Sequence, residues 1–289
     1  MRLMVEQSML TITDHRRDSA GLTYVYPVIS RRSGGLSIGI NFNPNNACNW
    51  RCVYCQVPNL LRGTAPKTDL EVLEQELRGF LKDVLEGGFY RRFEVPPAQQ
   101  TIRDIAISGN GEPTSSTQFD RAVELIIEVA RDYGLLGQIK LVLITNGSLI
   151  RREAVQTGLR RWGRLDGEVW FKLDSATPAG IRRINGTHHT PSGVLRNLEA
   201  VAPLCHVWLQ TCLFAFDGQP PAEEECQAYL DFLRLALRRA IRLRGVLLYG
   251  LARPSMQPEA PHLAALPAEW MEGYADDIRR LGLEAKLNL

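Results

Sequence analysis

Short apolar runs that alternate with helical periodicity constrain the fold of this chain more than any other feature. Residues 36–42, 102–108, 139–145, 169–173, 206–214 and 245–249 read as six strands, and a helix fits between each pair. Thr68 with Glu71 three residues on forms a capping box. It opens a helix whose Leu70, Leu73, Leu77, Phe80, Leu81 and Val84 recur at helical spacing to about residue 85. Residues 87–100 read as a Gly- and Pro-containing linker. The next helix carries Phe119, Val123, Ile126, Ile127 and Ala130 on one face and stops near Gly134. Strands alternating with helices imply parallel βα units. Runs such as Val142-Leu143-Ile144 and Val246-Leu247-Leu248 suit strands buried on both faces. The expected fold is α/β, a partial (β/α)6 TIM-like barrel of parallel strands, and 289 residues are enough for one such domain. Reactive groups in such folds gather at the C-terminal ends of the strands.

The first strand runs into Cys48-Asn-Trp-Arg-Cys52-Val-Tyr-Cys55, three cysteines within eight residues. Three thiolates so close can surround one small inorganic group. A [4Fe–4S] cluster is normally held by four cysteines, so three with no fourth nearby leave one iron open to a non-protein ligand. The alternative is a structural zinc completed by a histidine. Gly109-Asn-Gly-Glu-Pro113 leaves the second strand, where two glycines and a proline permit a backbone path closed to most residues.

The CxxxCxφC spacing, with Tyr54 at φ, resembles the signature of radical S-adenosylmethionine (radical SAM) enzymes, and Gly109, Asn110, Gly111, Glu112 and Pro113 resemble that family's GGEP motif with Asn110 inserted. The resemblance covers about residues 23–255. It implies a [4Fe–4S] cluster on Cys48, Cys52 and Cys55 whose open iron chelates SAM, with Tyr54 near the adenine and the glycine segment at the methionine amino group. Polar residues ending the fourth strand, here Asp174 and Ser175, match the ribose contact. The reaction implied is electron transfer from the reduced cluster into SAM, giving methionine and a 5′-deoxyadenosyl radical that abstracts hydrogen from substrate. A reductant such as a flavodoxin or ferredoxin is the implied partner. The stretch from Pro27 into the cysteine loop is similar to a branch of uncharacterised iron–sulfur oxidoreductases related to wyosine-forming tRNA enzymes. Those tRNA enzymes carry further cysteines upstream of the triplet, whereas no cysteine precedes Cys48 here.

Strand alternation supplies the remaining candidates. Lys172 and Asp174 share a face with Trp170, and Gln210 shares one with Trp208 and Cys212. An ionised group is rarely buried without a partner or a task, so Lys172 is read as pairing with Asp174, holding SAM or gripping substrate. Asn146 lies in the polar Thr145-Asn-Gly-Ser148 segment ending the third strand, and Arg253 follows the sixth. Lys172, Gln210 and Arg253 are the candidate substrate contacts. Cys212 is either a core thiol or a hydrogen donor, Cys205 and Cys226 read as structural, and His188 and His189 as surface residues.

Glu6 and Gln7 interrupt the apolar core a signal peptide needs, and no apolar run reaches membrane-spanning length. The expectation is a cytoplasmic protein that uses no membrane. Three of six cysteines in one loop do not form a disulfide framework. A net charge of +2 neither demands nor excludes nucleic acid. The domain reading is an N-terminal extension over 1–22, a barrel over 23–255, and a C-terminal helix and tail over 256–289 packed on it. The functional reading is radical SAM chemistry on a small polar substrate, with tRNA modification and a non-catalytic metal-binding module as alternatives.

Overall fold

The computed structural model describes residues 20–30, 34–251 and 253–288. The signal-peptide reading, most of the N-terminal extension, Arg31, Arg32, Ser33 and Ala252 lie outside the described residues. One eight-stranded sheet organises the chain: β1 (Val25–Ser30), β2 (Gly35–Asn41), β3 (Ile102–Ser108), β4 (Lys140–Thr145), β5 (Glu168–Lys172), β6 (His206–Cys212), β7 (Leu243–Tyr249) and β8 (Glu284–Asn288). Spatial order follows chain order, with β1 antiparallel to β2 and every later pair parallel. The helices are α1 (Leu70–Glu86), α2 (Phe119–Asp132), α3 (Glu153–Gly163), α4 (Pro178–Asn185), α5 (Pro191–Val201), α6 (Glu223–Arg238) and α7 (Ala268–Arg279), beside a four-residue helical turn at Phe89–Arg92.

The six expected strands are β2 to β7. The sheet adds a strand at each end, so seven strands rather than six are parallel. Both additions are edge strands, where a strand need not be continuously apolar. β1 contains Pro27, tolerated at an edge, and β8 reads Glu-Ala-Lys-Leu-Asn.

Period-two alternation divides the sheet. Leu36, Ile38 and Ile40, Ile105 and Ile107, Val169 and Phe171, and Val246 and Leu248 join the main core with Leu73, Leu77, Phe119, Ile126 and Leu233 from the helices. Each such side chain contributes about 1.5–3 kcal/mol by leaving water. The intervening residues, among them Ser37, Asp104, Ala106, Trp170, Lys172 and Gln210, line a cavity on the opposite side. Helices therefore cover one face of the curved sheet, and the other is left for a ligand.

The N-cap of α1 is Asp69, not Thr68. Its carboxylate accepts from the backbone N–H groups of Glu71 and Val72, each at 3.1 Å. Thr68 is turned inward, 3.1 Å from the Ser116 hydroxyl. Asp69→Ala is expected to lower unfolding free energy by about 1 kcal/mol, whereas Thr68→Val leaves the cap in place; denaturant titration of both variants checks the assignment.

Candidate cofactor and substrate site

The cysteine loop, residues 42–64, leaves the C-terminal end of β2 and is fixed from three sides by asparagines and backbone groups. Asn41 Oδ1 accepts from the N–H groups of Asn43 and Asn110, both at 3.0 Å, joining this loop to the glycine segment after β3. Asn110, the residue inserted between the glycines, donates to Asn46 Oδ1 at 2.7 Å. Asn49 accepts from Asn146 Nδ2 and donates to Ser148 Oγ, each at 2.8 Å, which ties in the loop after β4. From α4, the carbonyls of Ile184 and Asn185 accept from the N–H groups of Val53 at 2.8 Å and Arg51 at 3.1 Å. Residues 255–259 close the fourth side. Ser255 Oγ donates to the Val53 carbonyl at 2.7 Å, the Met256 N–H to Cys55 at 2.9 Å, and Arg51 pairs with Glu259.

Gly111 is packed against this loop. A Cβ there would lie 2.0 Å from the Ala47 carbonyl oxygen and 2.6 Å from Asn43 Nδ2. The missing side chain thus makes room for the cysteine loop's own backbone, beyond any room left for a ligand. Glu112 is a brace as well. Its buried carboxylate accepts from Thr145 Oγ1 at 2.6 Å, the Asn146 N–H at 2.6 Å, and the Thr114 N–H and hydroxyl. Burial pushes its pKa up, opposed by these hydrogen bonds.

Cys48, Cys52, Tyr54, Cys55, Gly109, Asn110, Gly111, Glu112, Asn146, Lys172, Gln210 and Arg253 all line one cavity of about 550 Å³ at the strand ends. Residues from six separate segments therefore converge. The structure does not bring every candidate there. Pro113 is buried in a short turn behind the loop. Ser175 opens onto a second cavity of about 490 Å³ among α4, α6 and residues 213–222, where its hydroxyl lies 2.7 Å from Glu225 Oε2. Asp174 and Cys212 stand at the boundary: Asp174 lines the second cavity, Cys212 both.

Asp174 is the hub of the boundary. Oδ1 accepts from the Cys212 N–H at 2.9 Å, and Oδ2 accepts from Asn185 Nδ2 at 2.6 Å and from the Tyr54 hydroxyl. Tyr54 is buried, which drives its pKa up, so its phenol donates rather than ionises. Lys172 Nζ lies 2.9 Å from the Tyr249 hydroxyl and 4.9 Å from the centre of the Tyr54 ring. Burial pulls the ammonium's pKa down, but Tyr249 and Asp174 outweigh it and hold the group charged. Deeper in the cavity, Ser37 donates to Asp104, Tyr26 and Ser108 share a 2.7 Å hydrogen bond, and the Gln210 Oε1 is buried with no partner.

The donor set suits an iron–sulfur cluster. Three thiols face one cavity, and N–H groups already point at two sulfurs: the Trp50 N–H lies 3.4 Å from Cys48 Sγ and Asn185 Nδ2 lies 3.3 Å from Cys52 Sγ. Such N–H···S bonds are among the protein's means of tuning clusters. Among the described residues, no group of three or more His, Cys, Asp or Glu side chains stands together closely enough to hold a metal ion, Cys48, Cys52 and Cys55 included. Burial raises the Cys48 and Cys52 pKa values to about 12, so the free thiols carry protons that metal loading must release.

Cys205 and Cys226 separate from this centre, whereas His189, expected at the surface, is half-buried against the cysteine loop. Cys205 lies 3.4 Å from the Leu159 carbonyl, and Cys226 packs on the main core. His189 sits against Trp50, ring centres 5.7 Å apart, and burial lowers its pKa. Sequence reasoning missed Asn41, Asn49, Asn185, Asp104 and Tyr249. Alternation along β3 could have found Asp104, and the density of asparagine around the cysteines was a signal for the loop braces.

The chain has the fold of radical SAM enzymes. It is similar to TYW1 solved with a lysine–pyruvate adduct (15% identity, TM-score 0.56, covering 86% of this chain and 74% of that one). A radical SAM methyltransferase from Sphaerobacter thermophilus gives 12% identity and a TM-score of 0.55, covering 91% of this chain and 68% of that one. For anSMEcpe with bound AdoMet the values are 15% and 0.53, covering 87% and 63%. No protein-family model matches. Among curated proteins, UPF0026 protein MJ1312 of Methanocaldococcus jannaschii is 31% identical over 162 residues, 56% of this chain. GTPase Obg of Brachyspira hyodysenteriae is 27% identical over 136 residues, 46% of this chain. The matches span only 43% and 17% of those two proteins' lengths. No helix among the described residues is long and apolar enough to cross a membrane.

Proposed function

We propose that the protein is a radical SAM enzyme acting on a small polar substrate. The observation that carries this reading is the convergence of three cysteines, the glycine segment and a buried lysine on one cavity at the C-terminal strand ends, within a fold shared with radical SAM enzymes. Cys48, Cys52 and Cys55 would hold a [4Fe–4S] cluster and leave one iron for SAM. When bound and reduced, by a flavodoxin- or ferredoxin-type donor, the cluster supplies the electron that breaks the S–C5′ bond of SAM.

The protein's own residues orient and enclose. Main-chain groups of residues 109–111 and Asn146 face the cavity for the methionine end of SAM, and Tyr54, held by Asp174, presents its ring to the adenosine end. The Asp174 oxygens already accept three hydrogen bonds, and Asp174 and Ser175 both line the second cavity, so a ribose contact by either residue requires one of their present hydrogen bonds to be exchanged. Lys172 is the cation for an anionic group of SAM or substrate. Gln210 Oε1 is a buried acceptor with no partner, so the substrate brings a hydrogen-bond donor to it; a buried acceptor left unpaired costs about 1–3 kcal/mol. A cavity of about 550 Å³ is of small-molecule size, and on this reading the cluster and SAM share it with the reacting group of the substrate. Binding of bulk tRNA that weakens with salt would favour the tRNA reading instead.

Anaerobic reconstitution of the Cys48→Ala, Cys52→Ala and Cys55→Ala triple variant tests the ligand set. The parent is expected to bind about four irons and four sulfides, and the triple variant none. Equal iron in both would place the metal elsewhere.

A further inference from the structure

Asn185 is the last residue of α4, a segment whose function was not apparent from the sequence, and it is 1% exposed. Its side-chain amide carries two N–H donors, and both are used: one toward Cys52 Sγ at 3.3 Å, the other to Asp174 Oδ2 at 2.6 Å. The orientation of the amide is set by chemistry. A carboxylate only accepts, and so does the thiolate of a cysteine that ligates a cluster, so the nitrogen and not the oxygen faces them. Gly186, in left-handed conformation at φ 59°, ends the helix directly after it. The helix also delivers the carbonyls of Ile184 and Asn185 to the N–H groups of Val53 and Arg51, on either side of Cys52, so the backbone holds the amide in register with the thiol it reaches.

We propose that Asn185 is a positioning residue that sets the reduction potential of the cluster through its bond to Cys52 and couples that cysteine to Asp174. The inference rests on the cluster reading above. An N–H donated to a ligating sulfur stabilises negative charge there. Reduction adds negative charge to the cluster, so the bond favours the reduced state and raises the potential. The second N–H belongs to the same rigid amide, so a shift of Asp174 at the boundary between the two cavities moves the donor at Cys52.

The test uses anaerobically reconstituted parent and Asn185→Leu, a substitution of similar size that removes both donors and keeps the backbone bonds to the loop. Iron and sulfide are counted, and the midpoint potential is read by EPR-monitored titration without SAM. The variant is expected to carry the parent's iron content with a midpoint shifted to more negative potential. An unshifted midpoint at equal iron overturns the inference and leaves the cluster reading intact, whereas a parent that binds no cluster overturns the cluster reading and the inference with it. Should Asn185→Leu lose its iron, the parent labelled with 15N only in asparagine side chains decides the matter. Coupling of that nitrogen to the reduced cluster in pulsed ENDOR spectra supports the bond, and its absence overturns it.

Discussion

Gly111→Ala is expected to abolish cluster uptake, reducing bound iron from about four per chain to background. The added Cβ would sit 2.0 Å from the Ala47 carbonyl oxygen and 2.6 Å from Asn43 Nδ2. Neither atom is the free end of a flexible chain: one is backbone, and the other is held by donating to that same carbonyl at 2.8 Å. The cysteine loop must move, and with it Cys48 one residue on. Overpacking of this kind costs about 1–3 kcal/mol, so the protein still folds but presents its thiols wrongly. Gly273→Ala in α7 is the control, because nothing lies within 4 Å of its missing Cβ; it should keep all of its iron and gain up to about 1 kcal/mol of stability from helix propensity. Full iron content in Gly111→Ala would mean that the tight packing does not govern the loop.

Lys172→Met is expected to keep the parent's iron while reducing SAM cleavage or substrate turnover at least ~30-fold, the equivalent of about 2 kcal/mol, the lower bound for removing one partner of a buried charge contact. Methionine preserves length and apolar packing, so loss of the ammonium is the main change. The lysine lies between the Tyr54 and Tyr249 rings, with Asp174 among the groups that hold it charged. Iron analysis, a reductive SAM cleavage assay and turnover separate its roles. Loss of cleavage assigns it to SAM, loss of turnover alone to substrate, and parent rates in both leave it without a functional role.

The parallel core and the metal-binding loop were legible because their signals are local. β2 to β7 announce themselves as apolar runs, and alternation placed Trp170, Lys172, Gln210 and Cys212 on the cavity side. Alternation failed one step beyond the strand. β5 ends at Lys172, so period two has no force at Asp174 and Ser175, and both side chains line the second cavity instead of the one that Lys172 faces. The edge strands β1 and β8 carry proline and charge and gain their identity only from pairing with β2 and β7, information no local window holds. Asn185 was illegible for the same reason, since its meaning depends on contact with Cys52, 133 residues earlier in the chain. Residues 255–259 showed no sign in the sequence that they clamp the cysteine loop.

The most direct test of the whole account is anaerobic reconstitution of the parent followed by reduction with dithionite in the presence of SAM, reading iron, sulfide and 5′-deoxyadenosine together. The account predicts about four irons per chain and reductant-dependent formation of methionine and 5′-deoxyadenosine, both absent from the Cys48→Ala, Cys52→Ala and Cys55→Ala triple variant. A parent that binds a single zinc, or that carries a full cluster yet leaves SAM intact, would contradict it.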